Sequence, residues 1–190
     1  STRIYGMFQM KHGPIAAVRH VITPSVSLTY RPDFSEQQYG HYKTVQVDTS
    51  GTERKYSVFQ SNVYGGPPAG KYGNLAFSLN NNLEMKVRTR SDTGVALKKI
   101  KIFESLNFGA GYNLIADSMK WSNLNVNGRT TLFDKIGINF GAVLDPYAFD
   151  ADNRDYNRFQ HDVNGHLFRL TSANLSFNYS LTRQAQKKSD

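Results

Sequence analysis

Along residues 74–90 the chain alternates with a period of two. Leu75, Phe77, Leu79, Leu83, Met85 and Val87 hold one parity, while Asn74, Ser78, Asn80, Asn82, Glu84, Lys86 and Arg88 hold the other. Successive side chains of a β-strand point to opposite faces, so this stretch is a ribbon with one oily side and one polar side. The pattern recurs down the chain. An apolar face of that length must be covered, either by a second protein layer or by hydrocarbon.

The remaining ribbons follow from the same reading. Residues 3–10 form a short strand that stops at the turn signal Gly13-Pro14. Ile22, Pro24, Val26, Leu28 and Tyr30 then face away from Val21, Thr23, Ser25, Ser27 and Thr29. Proline removes a ladder donor, which predicts a bulge or a strand end at Pro24. Residues 32–73 are the longest excursion, with a hairpin at 42–47 and 55–59 around Asp48-Thr49-Ser50-Gly51. After the 74–90 ribbon and the turn Ser91-Asp92-Thr93-Gly94 come Ile100, Ile102, Leu106, Phe108, Ala110 and Tyr112, opposite Lys99, Lys101, Ser105, Asn107 and Asn113. Leu124, Val126 and Leu132 oppose Asn123, Asn125, Asn127, Arg129 and Thr131, and a tight turn at Asp134-Lys135 leads into Ile136, Ile138, Phe140, Ala142 and Leu144. A polar loop over 145–162 precedes Asn164-Gly165, a hairpin signal. The last ribbon sets Ala173, Leu175, Phe177, Tyr179 and Leu181 against Ser172, Asn174, Ser176, Asn178 and Ser180.

Connectors between these ribbons alternate between short and long, as in an outer-membrane barrel with tight turns at one end and longer loops at the other. With all long loops at one end, Tyr30, Tyr112, Trp121 and Tyr147 fall at one height, where an aromatic girdle belongs. A soluble sandwich alternates too. Against it stand ribbons that exceed the roughly 9–11 residues a tilted strand needs to cross a bilayer, the tight turn joining two of them, and polar faces dominated by Asn and Ser, with fewer of the Lys and Glu expected on a soluble sheet. The expected fold is therefore all-β: one segment, residues 1–190, of an antiparallel up-and-down transmembrane β-barrel. Residues 32–73 are its long extracellular loop and 183–190 a polar periplasmic tail.

Composition narrows the choice further. No apolar run approaches the roughly 20 residues of a membrane-spanning helix, and the mean hydropathy of −0.52 suits a barrel with a wet interior. The chain has no cysteine, which removes disulfide scaffolds and cysteine-based zinc sites. A net charge of +8 favours acidic partners such as nucleic acid, anionic lipid or phosphorylated glycan. No signal peptide is evident, and the chain reads as a piece of something larger.

Residues 19–34, with the strand Thr23-Pro24-Ser25-Val26-Ser27-Leu28, resemble a segment of the C-terminal barrel domain of the LptD (OstA) family of lipopolysaccharide-assembly proteins. Asn81-Asn82-Leu83-Glu84-Met85-Lys86-Val87-Arg88 and Leu170-Thr171-Ser172-Ala173-Asn174-Leu175-Ser176-Phe177 resemble further stretches of it, and the likeness runs from about Arg3 to Leu181. The resemblance implies a large outer-membrane barrel plugged by the lipoprotein LptE. It also implies that lipopolysaccharide arrives from periplasmic bridge proteins and is released sideways into the outer leaflet. The family's periplasmic domain, its gate strands, its closing strand and its cysteines have no counterpart here, so gate residues are not assigned.

Other motifs carry less. Gly65-Gly66-Pro67-Pro68-Ala69-Gly70-Lys71-Tyr72 approaches a phosphate-binding loop, but its prolines delete backbone donors and Tyr72 replaces the metal-binding hydroxyl. Asp145, Asp150, Asp152 and Asp155 cluster in one loop without the glycine and terminal glutamate of a calcium loop, so no metal site is assigned. His12, His20, His41, His161 and His166 form no metal-spaced pair and neighbour no candidate nucleophile. No cofactor and no catalytic residue is expected. The sequons at Asn174 and Asn178 lie within a strand and are discounted.

Lys86, Arg88, Lys99, Lys101 and Arg129 share the polar parity and approach the short-turn end. They predict a positive band at the periplasmic mouth of the lumen, suited to solvating a rim, steering lipid phosphates or holding the plug. The expected function is non-enzymatic: transport of lipopolysaccharide, with outer-membrane lipid as neighbour and no nucleic acid as partner. The alternatives are another outer-membrane barrel for nutrient or protein transport, or a soluble glycan-binding β-sandwich.

Overall fold

The computed structural model describes residues 2–91, 94–133, 135–149 and 155–179. Seven strands form one antiparallel sheet: β1 (Ile4–Gln9), β2 (Ile15–Arg31), β5 (Tyr72–Ser91), β6 (Gly94–Asn113), β7 (Leu124–Leu132), β8 (Ile136–Asp145) and β11 (Arg169–Tyr179), in that spatial order. Each strand pairs with the next one along the chain, so the topology is up-and-down. Two hairpins are inserted at one end: β3 (Tyr42–Gln46) with β4 (Glu53–Ser57), and β9 (Tyr147–Phe149) with β10 (Asp155–Phe159). The sheet is not closed, and β1 and β11 are its edges. No described helix is long and apolar enough to cross a membrane.

Register turns parity into faces. Leu28↔Leu75↔Tyr112 and Val26↔Phe77↔Ala110 lie on one side, and Asn80↔Asn107↔Asn127↔Gly141↔Asn174 lie on the other. Among the described residues no second layer covers the apolar side. Val26 and Phe177 are 64% and 65% exposed, and the buried hydrophobic side chains among the described residues are confined to Ala17, Tyr147 and Ala148, beside Pro146. A sandwich would place a second sheet there; this sheet leaves the face open.

Three local expectations are corrected. Pro24 neither bulges nor ends its strand. It pairs with Leu79 inside β2, beyond the last β1 partner at Ile22, where the strand has one neighbour and a missing donor is tolerated. The β2 irregularity falls instead between Ile15 and Ala17. Asn164-Gly165 is not a hairpin turn: it ends the short helix α1 (Gln160–Asn164), with Gly165 as its left-handed cap at φ 78°. Residues 183–190, the expected tail, lie outside the described residues, as does Asp134 of the tight turn.

The β5–β6 pairing holds the third departure. Asn81 pairs with Leu106, Leu83 with Phe103 and Glu84 with Lys101, so β6 carries two extra residues over this step. Each insertion flips the strand's parity. Phe103 therefore joins the apolar face, where its ring meets Phe140 edge-on at 6.2 Å. Glu104 turns to the polar side, and Ile102, expected on the apolar face, falls within the irregularity. The Asn82 amide donates to the Glu104 carbonyl at 2.8 Å and the Asn81 amide to the Leu106 carbonyl at 3.3 Å. Side chains thus replace ladder bonds that the extra residues disrupt.

Candidate functional site

The polar face is a wall of amides laid over glycine. A Cβ on Gly141 would stand 2.7 Å from Asn174 Oδ1, and one on Gly137 would stand 2.2 Å from Asn178 Oδ1. The Asn side chains therefore lie across positions kept empty for them. The result is a flat, neutral surface dense in hydrogen-bonding groups.

Towards the short turns the wall becomes charged. Glu84 binds Lys99 at 2.9 Å and Arg19 at 3.8 Å, and Glu104 binds Lys101 at 3.2 Å and Arg129 at 3.4 Å. The carboxylates are the covered partners: the Glu84 side chain is 12% exposed against 53% for Lys99. Lys86 sits directly opposite Lys99 and has no ion pair among the described residues. An approaching anion meets the cations first.

The five expected cations do not act alike. Lys86, Lys99, Lys101 and Arg129 share this band, whereas Arg88 is bound to the β1–β2 turn. Its guanidinium donates to the carbonyls of Met10, Gly13 (2.6 Å) and Ile15 (3.0 Å), and its backbone N–H donates to Pro14 O at 2.7 Å. Sequence reasoning missed Arg19 and both glutamates. Arg19 shares the parity of Val21 and Thr23 and was findable; Glu104 sits at apolar parity, and only the double insertion brings it here.

Three of the four expected girdle aromatics converge at the other end. Tyr112 and Trp121 meet edge-on at 5.0 Å, and the Trp121 backbone N–H donates to the Tyr147 hydroxyl at 2.9 Å. Tyr147 itself departs from the expectation. It is 4% exposed, stacked on Phe159 at 5.4 Å, and so is not a surface ring. Tyr30 stands apart on β2, exposed on the apolar face.

The long loops are tied at their bases. Asp33 accepts from the N–H groups of Ser35 and Gly70, each at 2.8 Å, and hydrogen bonding from the Ser35 side chain, together with these two backbone bonds, holds its carboxyl down to about 2. Asp145 of the acidic loop is held by Arg169 at 2.7 Å, whose guanidinium lies over Phe149. Asp150 and Asp152 lie outside the described residues. Among the described residues no group of His, Cys, Asp or Glu is placed to hold a metal.

These features define the chain as an all-β fragment of a barrel, an up-and-down wall with one oily and one hydrophilic side. The family model for LptD protein matches residues 1–147, and the chain belongs to the LptD family, which handles lipopolysaccharide in the outer membrane. Neither a curated protein nor a solved structure matches it.

Proposed function

We propose that this segment is part of the outer-membrane translocon that carries lipopolysaccharide to the outer leaflet. Its polar face lines the hydrophilic lumen and its apolar face meets membrane lipid. Strands β5 and β6 have 20 residues each, about twice what a tilted crossing needs. Counting down β6 from the aromatic end at Tyr112, a crossing ends near Lys101. Beyond it Lys98 appears on the formerly oily side, opposite Val87. The charged band then lies at the periplasmic mouth, where phosphate groups delivered by the bridge proteins enter and where the plug LptE would sit. No covalent chemistry is needed: sugars and phosphates pass along the amide wall while acyl chains stay in lipid.

The observation that carries this reading is the pair of opposite faces on one uncovered sheet, with a band of cations above Glu84 and Glu104 towards the short turns. The test is replacement of Lys86, Lys99, Lys101 and Arg129 by glutamine in the full-length protein, with Arg88 left in place to hold its turn. Surface lipopolysaccharide and LptE co-purification are then measured. Reduced delivery or loss of LptE is expected. Unchanged values for both, with normal barrel assembly, remove the band from the mechanism.

A further inference from the structure

Over most of the sheet the apolar face is open, but at the long-loop end the chain builds walls on it. Ala110 and Leu124 form a floor, as members of the apolar registers Phe77↔Ala110 and Leu124↔Leu144. Trp121, folded back against Tyr112 and 5.9 Å from Phe77, forms one side. Phe159, Leu167 and Phe168, from the connection between β8 and β11, form the other. These residues are anchored: Gln160 N–H donates to Pro146 O at 2.8 Å, and Phe159 stacks on the buried Tyr147. The cleft, open on one side, measures about 320 Å³, with Ser122 and His161 as its polar members. An apolar cavity of about 150 Å³ accepts a six-carbon ring, so this cleft has the volume to take part of a hydrocarbon chain.

We infer that this cleft binds one acyl chain of a membrane lipid, with the lipid's polar head beside Ser122 and His161. The inference rests on the reading that the apolar face meets lipid, because only then does hydrocarbon continue directly into the cleft. Its walls are apolar, it opens on that same face, and it lies at the aromatic end, where a lipid's chains meet its headgroup.

Trp121 is the only tryptophan of the chain, and it lines the cleft. The full-length protein is reconstituted into phosphatidylcholine vesicles containing a rising fraction of lipid with brominated acyl chains. Trp121 emission is isolated as the difference between the parent and Trp121→Phe. A Phe177→Trp probe in the Trp121→Phe background reports an open stretch of the same face. A single site predicts that Trp121 emission follows the first power of the unbrominated fraction, whereas the probe at 177, reached by several lipids, follows a higher power. Ala110→Leu raises the floor and should at least halve Trp121 quenching without altering the probe at 177. Should that variant fail to assemble, Leu167→Ala removes part of a wall and should raise the Trp121 power above one. Quenching at 177 but not at Trp121 means that protein covers the cleft, which overturns the inference and leaves the lipid-facing reading intact. Equal powers at both sites, insensitive to the variants, mean ordinary boundary lipid and overturn it as well. Absence of quenching at both sites overturns the lipid-facing reading together with it.

Discussion

Asn81 stands on the oily face, between Ile22 and Leu106, and hydropathy alone says that Asn81→Leu should stabilise the sheet in a bilayer. The structure predicts the reverse. The Asn81 amide donates to the Leu106 carbonyl and to the Leu79 carbonyl, each at 3.3 Å, and its oxygen lies 3.1 Å from His20 Nε2. Taking the amide out of an apolar setting gains about 0.5–2 kcal/mol, and a leucine in hydrocarbon adds about 0.5 kcal/mol. Against this, on the proposed reading that this face meets hydrocarbon, the Leu106 carbonyl and His20 lose partners where no water replaces them, at about 1–3 kcal/mol each. The net is a destabilisation of about 1–3 kcal/mol. Guanidinium unfolding of the full-length barrel from lipid vesicles measures it, within a double-mutant cycle that includes His20→Leu. Removing both polar partners leaves no orphan at position 20, so the double variant should recover at least about 1 kcal/mol relative to the sum of the singles. A raised midpoint for Asn81→Leu, or strictly additive losses, would refute the idea that this pair completes the irregular ladder.

Asp33, in a loop that the proposed reading places outside the membrane, offers a pH test. Its folded pKa is about 2 against an ordinary 3.8, so its stabilisation is complete above about 3.8 and lost as the pH falls through about 2. The amide resonances of Ser35 and Gly70 should shift with a midpoint near 2, and a midpoint at the ordinary aspartate value would show that the latch does not form. Gly128→Ala places a Cβ 2.1 Å from Phe140 Cζ, whereas Gly109→Ala meets nothing nearer than Phe77 O at 3.9 Å. The first should cost about 1–3 kcal/mol of stability through overpacking and the second should cost much less, a contrast readable in the same unfolding assay. Arg88→Ala should open the β1–β2 turn to protease, with Arg88→Lys rescuing only in part because an ammonium lacks the guanidinium fork; a turn equally resistant in all three proteins would remove the clamp.

Most of the sheet was legible because its cause is local. Alternation in β2, β5, β8 and β11 specifies both strand and face, and the neutral Asn and Ser of one parity mark the polar face. What escaped depends on neighbours. Pro24 obeys the rule against proline in a ladder only once β1 is known to stop at Ile22, and no property of residue 24 reports that. Asn164-Gly165 satisfies a hairpin turn and a helix cap equally well, since both need a left-handed glycine. Phe103 and Glu104 contradict the alternation that their own strand establishes, and the contradiction is the signal. Two residues of the wrong kind at adjacent positions mark a double parity flip, with Asn81 and Asn82 on the facing strand as donors to the displaced backbone. Tyr147 is no surface ring for a similar reason: it begins β9, and Phe159 of β10, which stacks on it, arrives only through a tertiary pairing.

The division of the polar face into a neutral wall and a charged mouth has a physical logic for a conduit. A path that bound phosphate strongly along its whole length would hold its cargo, because transport needs sites favourable enough to enter and weak enough to leave. On the proposed reading, cations meet phosphate at the mouth, where Glu84 and Glu104 beneath them offset part of the charge and keep attraction short of capture. Beyond it, the amides over Gly137 and Gly141 offer sugar hydroxyls hydrogen bonds that exchange readily with water, each with a net value of only about 0.5–1.5 kcal/mol. The glycines keep that wall flat, so no side chain forms a step against which a branched saccharide would catch. Filling Gly141 with a larger residue should therefore impede passage even if the barrel adapts to it, whereas a charge-neutral exchange of one amide for another should not.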